Sequence, residues 1–432
     1  MAKIDTGDTA WLLVGCALVL LMTPALALFY GGMVRRKNVL STIMYSVAAI
    51  PILSIAWALY GYSLAFGPSH HGLIGGLEYA GMTGLASEVH GTVPTLAFAA
   101  FQMMFAVITP ALISGAFAER MKFTAYVAFI LLWSTLVYYP VAHWVWADGG
   151  WLLKLGALDF AGGTVVHLTA GMSALVCALV IGKRVGYPQR RALPHDLTMT
   201  LTGAGLLWFG WFGFNAGSAL TSGQLAALAF MTTHLGAAGG AIGWLLVEWR
   251  HRGKPTALGV ASGLVAGLVA ITPAAGYVAP WAAITIGLVA GGVCYAGVLL
   301  KGRFGYDDSL DAFGVHGIGG LAGALLTGVF AQKTLNDAGA DGALFGNAKQ
   351  LGIQALACAV TGLYAVVLTF GILKLLDATI GLRVPESDER EGLDVTQHGE
   401  EAYGESSGGL SHERVDEPPV GEPVRAREAT AE

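Results

Sequence analysis

The sequence predicts an all-α polytopic membrane protein of eleven transmembrane helices, an inverted five-plus-five repeat with one extra helix. Three observations carry that expectation. Of 432 residues, 55% are hydrophobic and only 12% charged, about half the ~25% charge of a soluble domain. Eleven mostly apolar runs have the length of about 20 residues that a membrane crossing needs. Basic residues gather in every second loop. Together these exclude a disordered chain, a nucleic-acid binder and an ordinary cytosolic enzyme.

The runs lie at 9–31, 39–66, 94–118, 123–143, 162–182, 197–217, 223–247, 256–276, 278–300, 310–331 and 350–374. The first is not read as a cleaved signal peptide. The residues before it include Lys3, Asp5 and Asp8, which make no basic leader. One set of loops holds Arg35, Arg36 and Lys37; Arg120 and Lys122; Lys183, Arg184, Arg190 and Arg191; Arg250, Arg252 and Lys254; and Lys301 and Arg303. The opposite side holds only Lys3, Lys154, Lys333 and Lys349. Basic loops stay inside, so the N-terminus is expected outside and the C-terminus inside.

Charge also divides the chain lengthwise. Residues 1–382 read as the transmembrane domain. Residues 383–432 carry 14 acids and 5 bases. Within them, 383–403 is a mixed cytoplasmic tail expected to regulate, and 404–432 an acidic Gly/Ser/Pro/Glu-rich extension expected to be disordered.

Inside the spans, small pairs such as Gly263/Gly267 and Gly287/Gly291 predict close helix contacts. Pro24, Pro110 and Pro273 are expected within spans. Trp11, Trp57, Trp133, Trp144, Trp146, Trp151, Trp249 and Trp281 lie near expected span ends and read mostly as an interfacial belt. Cys16, Cys177, Cys294 and Cys358 are far apart in apolar runs and read as core residues.

Ionisable residues within spans are costly and so mark function. His167 lies about one turn into the fifth run and His316 about one turn into the tenth; His234 is mid-span in the seventh and reads as a core histidine. Each of the first pair follows an acid and glycines, with Asp159 matched to Asp311. Two five-span halves must run in opposite directions, which places a site where the halves meet. Facing imidazoles can pass a proton, one nitrogen donating and the other accepting. That suits a proton relay or an ammonia path better than a metal site lacking a third ligand. Asp159 could cap its helix or stand as a buried charge orienting a substrate.

Several segments then resemble the ammonium transporter (Amt/Mep/Rh) family, of the bacterial Amt type. They are TPALALFYGG (Thr23 to Gly32), DFAGGTVVHLTAG (Asp159 to Gly171), WFGWFGFNAGS (Trp208 to Ser218), AFGVHGIGG (Ala312 to Gly320) and the tail from Gly381 to Tyr403. The resemblance spans about residues 8–404. It implies a homotrimer with one pore per subunit and ammonium or methylammonium as substrate. By the same resemblance, Phe105, Trp146 and Ser218 form an external recruitment site with Asp159 beneath it. Phe105 and Phe214 form a phenyl gate, and His167 and His316 line the pore. A PII-type signalling protein would bind the cytoplasmic exits. Ammonium would lose its proton, ammonia would cross an apolar pore, and the proton would be relayed separately. Potassium has no proton to give up. An ammonium sensor and an electroneutral ammonia gas channel are the alternatives. No enzyme activity, cofactor or nucleic-acid partner is expected, since neither a nucleophile–base pair nor a metal cluster is present in the sequence.

Overall fold

A computed structural model describes residues 4–189 and 193–403. Arg190, Arg191, Lys3 and the extension 404–432 lie outside the described residues. Ten helices are long and apolar enough to cross a membrane. In chain order they are α1 (Thr6–Met33), α2 (Arg36–Phe66), α3 (Thr95–Ala116), α4 (Phe123–Leu155), α5 (Gly163–Ile181), α6 (Leu197–Gly217), α7 (Gln224–Arg252), α9 (Pro280–Phe304), α10 (Phe313–Phe330) and α11 (Ala348–Thr379), with the shorter apolar helix α8 (Ala257–Ile271) between α7 and α9. At 15 residues α8 falls short of a full crossing. Pro273 lies beyond it instead of inside a span, and turns fill the following residues to 278. Pro24 and Pro110 do lie within helices.

Sequence chemistry sets the ends. Asp5 caps α1 by accepting from the Asp8 N–H, Asp196 caps α6 through Met199, and Thr256 caps α8 through Gly259. α7 and α9 end on Gly253 and Gly305 in the left-handed region, each preceded by basic residues that suit a helix C-terminus.

Packing follows small residues. The two glycine pairs meet on α7. A Cβ on Gly267 would lie 2.2 Å from the Gly236 oxygen, and one on Gly291 would lie 2.3 Å from the Gly240 oxygen. Backbones of α7, α8 and α9 therefore touch directly. α1 packs along α6, and α5 against α10. Outward faces carry exposed Ile55, Leu59, Leu363, Val367 and Phe370, the apolar surface of a helix bundle in lipid.

Two expectations need correction. Trp57 and Trp133 are fully buried and Trp144 nearly so, and only Trp249 and Trp281 of the expected belt are strongly exposed. α4 runs on to Leu155 and takes in Trp144, while α2 ends at Phe66 as expected, and Trp57 and Trp133 face into the bundle. Trp57, Trp133 and Trp144 donate to Ala99 O, to the hydroxyls of Ser173 and Thr369, and to Leu73 O respectively. His234 is exposed, not core, and stacks on Trp208 at 5.1 Å.

The tail closes one end of the bundle. Asp394 accepts from Leu40 N and Ser41 N at the start of α2, at 3.0 and 2.8 Å. Leu393 N donates to Asn38 Oδ1, Arg383 pairs with Glu389 at 2.6 Å, and Arg36 lies over the Tyr403 ring. Beneath it, Glu119 is buried between Arg35 (2.8 Å) and Arg184 (2.9 Å), and Arg184 continues to Asp307 (2.8 Å). At the opposite end, residues 69–94 form two short hairpins, Ser69–His70 with Ile74–Gly75 and Val89–His90 with Val93–Pro94.

Candidate functional site

The centre of the bundle is built from the first turns of α5 and α10. Both open as wide π-helical turns, Gly163–Leu168 and Phe313–Gly317, a feature frequent at functional sites. Each turn carries one histidine. Their close approach depends on missing side chains: a Cβ on Gly171 would lie 2.0 Å from Gly317 N. His167 Nδ1 and His316 Nδ1 stand 3.3 Å apart, with ring planes 20° from parallel. Both residues are buried, and among the described residues His167 Nε2 has no hydrogen-bond partner. One Nδ1 must carry a proton and the other accept it, because two lone pairs or two protons would repel.

An acid precedes each histidine by eight residues. The Asp159 carboxylate accepts from Gly162 N (2.8 Å), Gly163 N (2.6 Å), Thr164 N (2.8 Å), Val165 N (3.2 Å) and the Thr164 hydroxyl. The donors that a helix start leaves free are thereby satisfied, so Asp159 caps α5. The counterpart in the other half is Asp308, not Asp311. Asp308 accepts from Ala312 N (3.1 Å) and Phe313 N (2.8 Å), whereas Asp311 pairs with Lys301. Asp311 comes directly before the turn but has a φ of +63°, and only the eight-residue interval reveals the true partner.

Above His167 the rings converge. Phe214 stacks on His167 at 5.9 Å, Phe105 lies tilted against Phe214 at 4.2 Å, and Trp146 meets Phe105 edge-on at 5.9 Å. Trp146 Nε1 donates to the Asp159 carbonyl at 2.9 Å, which joins the indole to the start of α5. The structure thus brings Phe105, Trp146, Phe214, Asp159 and both histidines into one column. Ser218 ends α6 one turn beyond Phe214, and its hydroxyl donates to the Phe214 carbonyl at 2.8 Å. Among the described residues no hydrogen bond joins Ser218 to Trp146.

Sequence reasoning missed Trp211. It lies one turn before Phe214 on the same face of α6, stacks on His167 at 5.4 Å, and donates its indole N–H to the Thr272 hydroxyl at 2.9 Å. Its i, i+3 spacing from Phe214 was the available signal.

A narrow cavity runs beside this column. It is lined by Met22, Leu26, Phe29, Ile108, Leu207 and both histidines, among others, and measures about 10 Å³. That holds about one water-sized molecule. A second cavity of about 30 Å³ continues from Phe29, Val265 and His316 toward Asp311 and Ser262, on the tail side. Almost no group along the first cavity could replace a cation's hydration shell, so an ion would be costly there and a small neutral molecule would not. Among the described residues no group of three or more His, Cys, Asp or Glu could hold a metal.

The fold defines a multi-pass helical membrane protein in which two buried histidines face a narrow, mostly apolar cavity. A profile described as the Ammonium Transporter Family matches residues 10–403, and the chain belongs to that family. The ammonium transporter of Bacillus subtilis is 54% identical over 407 residues, covering 93% of this chain and all of the relative. Ammonium transporter Amt1 of Archaeoglobus fulgidus is 48% identical, with 93% and 100% covered. The crystal structure of Saccharomyces cerevisiae Mep2 superposes with a TM-score of 0.85 at 37% identity, covering 94% of this chain and 93% of that one. Ammonium transport across a membrane is therefore the function of the family.

Proposed function

We propose that this chain carries ammonium as ammonia plus a separately relayed proton. Ammonium is recruited at Trp146, Phe105 and Ser218, where aromatic faces attract the cation and a hydroxyl accepts its hydrogen bond. Asp159 serves this site by position, holding Trp146 through its carbonyl and α5 through its carboxylate. Passage beneath the Phe105/Phe214 gate strips water from the ion. Desolvation disfavours the charged form of an amine, and the proton leaves. Ammonia crosses the apolar cavity and the proton crosses the imidazole pair.

The observation that carries this reading is the 3.3 Å Nδ1–Nδ1 contact beside a cavity that fits one small neutral molecule. The test is current on solid-supported membranes from proteoliposomes. Ammonium and methylammonium pulses should give current and potassium none, and His167→Ala should lower it at least tenfold. Undiminished current in that variant would sink the relay. Ammonia uptake without current in the wild type would favour the electroneutral gas channel.

The alternating basic loops support eleven crossings, α8 included, in a plasma membrane, with the N-terminus outside and the tail in the cytoplasm. The Asp–His pairs eight residues apart in oppositely running halves support the inverted repeat. His234 supports a homotrimer. An exposed histidine in the middle of α7 would be costly in lipid, and a second subunit would cover it. The docked tail, 383–403, with the basic loops beneath it offers a surface for a PII-type protein.

A further inference from the structure

A wide, half-open space lies beside the ring column, apart from the narrow cavity that the two histidines line. Between the hairpins of residues 69–94 and the end of α4 lies a cavity of about 330 Å³, at the end remote from the tail. Its walls include Tyr62, Phe66, Phe98 and Trp146, and its rim carries Glu88 and Asp148. The rings are locked together: Phe66 meets Phe98 edge-on at 5.0 Å, and Tyr62 lies 5.8 Å from Phe66. Neither Phe105 nor Ser218 lines this space, and Trp146 is a wall common to it and the ring column.

Size and chemistry select the guest. Ammonium would occupy a small part of the cavity, remain hydrated and touch few rings. A trimethylammonium group spreads its charge over methyl groups and gives up little hydration. It can rest against Phe66 and Trp146, the half-buried rings of the wall, in the manner of quaternary ammonium recognition by aromatic faces. Two carboxylates at the mouth raise the local concentration of cations. His90 also lines the space, stacked on Phe98 at 3.8 Å. Burial holds its imidazole below the ordinary value, although Asp148 pulls the other way. A neutral ring there does not repel a cation.

We propose that this antechamber, at the approach to the ring column, is a binding site for small quaternary ammonium cations, which are too wide to pass into the narrow cavity beyond. The occupant sits over Trp146 and blocks approach to it, so it acts as a competitive inhibitor of ammonium entry.

Choline and its neutral isostere 3,3-dimethyl-1-butanol test this on the full-length protein in lipid nanodiscs, by saturation-transfer NMR and calorimetry. Choline should bind saturably, and the alcohol at least about tenfold more weakly, because only the charge differs. Glu88→Gln with Asp148→Asn should weaken choline binding about five- to tenfold, with an unchanged unfolding temperature as the folding control. Ser218→Ala should leave choline binding intact. Equal binding of the alcohol, or wild-type choline affinity in the folded double variant, overturns the proposal. So does loss of choline binding in Ser218→Ala, which would put choline in the ring column. If the double variant does not fold, the choline–alcohol comparison and Ser218→Ala still decide. None of these readouts involves transport, so failure of the conduction mechanism and failure of this site are distinguishable.

Discussion

The segments Asp159–His167 and Asp308–His316 share a plan: an acid, a wide helical turn and a buried histidine eight residues on. They differ in how fully the acid is engaged. Asp159 meets four backbone N–H groups and a hydroxyl, and its carbonyl also holds Trp146. Asp308 meets two backbone N–H groups and lies near Asp311 and Lys301, which form an ion pair beside a small cavity. His167 is likewise braced by Trp211 and Phe214, whereas His316 stacks only on His167 among the described aromatic rings. The first segment is held fast beneath the rings, and the second is looser and faces the tail. The first fixes the ring column, and the second leaves a small cavity on the tail side.

The largest expected effect tests that asymmetry directly. Asp159→Ala strands buried donors worth ~1–3 kcal/mol each. It should destabilise the purified protein by about 3–5 kcal/mol in thermal or detergent unfolding, since the donors share some compensation. Asp308→Ala strands fewer and should cost about 1–3 kcal/mol. Equal costs would show that the two caps are energetically alike, and a reversed order would break the comparison.

Much of the plan was readable beforehand. Apolar run length located ten long helices and the shorter α8, and His167 and His316, marked by their place within apolar runs, do lie together in the bundle. The pairing of Asp311 with Asp159 went wrong because sequence order cannot show that residue 311 takes a left-handed backbone and turns its carboxylate to Lys301. The tryptophan belt went wrong for a different reason. An indole N–H that finds Ala99 O or Ser173 Oγ inside the bundle is as satisfied as one at an interface, and hydropathy does not distinguish them. Trp211 escaped notice because an aromatic helix face reads as core until a histidine is seen against it.

Protonation gives the second test, with opposite signs for two acids on the tail side. Burial opposes ionisation of Glu119, but Arg184 and Arg35 outweigh it and hold the carboxyl at about 2, below the ordinary 4.5. Its ion pairs therefore contribute fully above about pH 4.5 and are lost as pH falls toward 2. Burial and then Asp311 push Asp308 above the usual carboxylate range, with Lys301 opposing. Its charge accordingly costs stability as pH rises through that range. Glu119→Gln should be strongly destabilised at pH 7, by about 3–5 kcal/mol, because two guanidinium groups lose a buried partner. That deficit should shrink on acidification. Asp308→Asn should instead gain on the wild type as pH rises from 4 to 7, by about 1 kcal/mol. Unfolding midpoints across that range check both, and a gap that moves the other way for Asp308→Asn would remove the claim that the looser segment carries an electrostatic cost.

The smallest effect concerns the bracing of His167. Thr272 orients Trp211 through one buried hydrogen bond, worth about 0.5–1.5 kcal/mol net, and does not touch either histidine. Thr272→Val keeps the side-chain shape and removes the acceptor. Stability should fall by about 1 kcal/mol. Ammonium current should fall about two- to threefold while methylammonium affinity at the ring column stays unchanged, because the loss is in ring alignment and not in recruitment. Thr272→Ser, which restores the hydroxyl, should recover the current. Were Thr272→Val to leave the current at wild-type level, the stack of Trp211 on His167 would be packing alone. The difference between the two segments would then reduce to the engagement of Asp159 and Asp308.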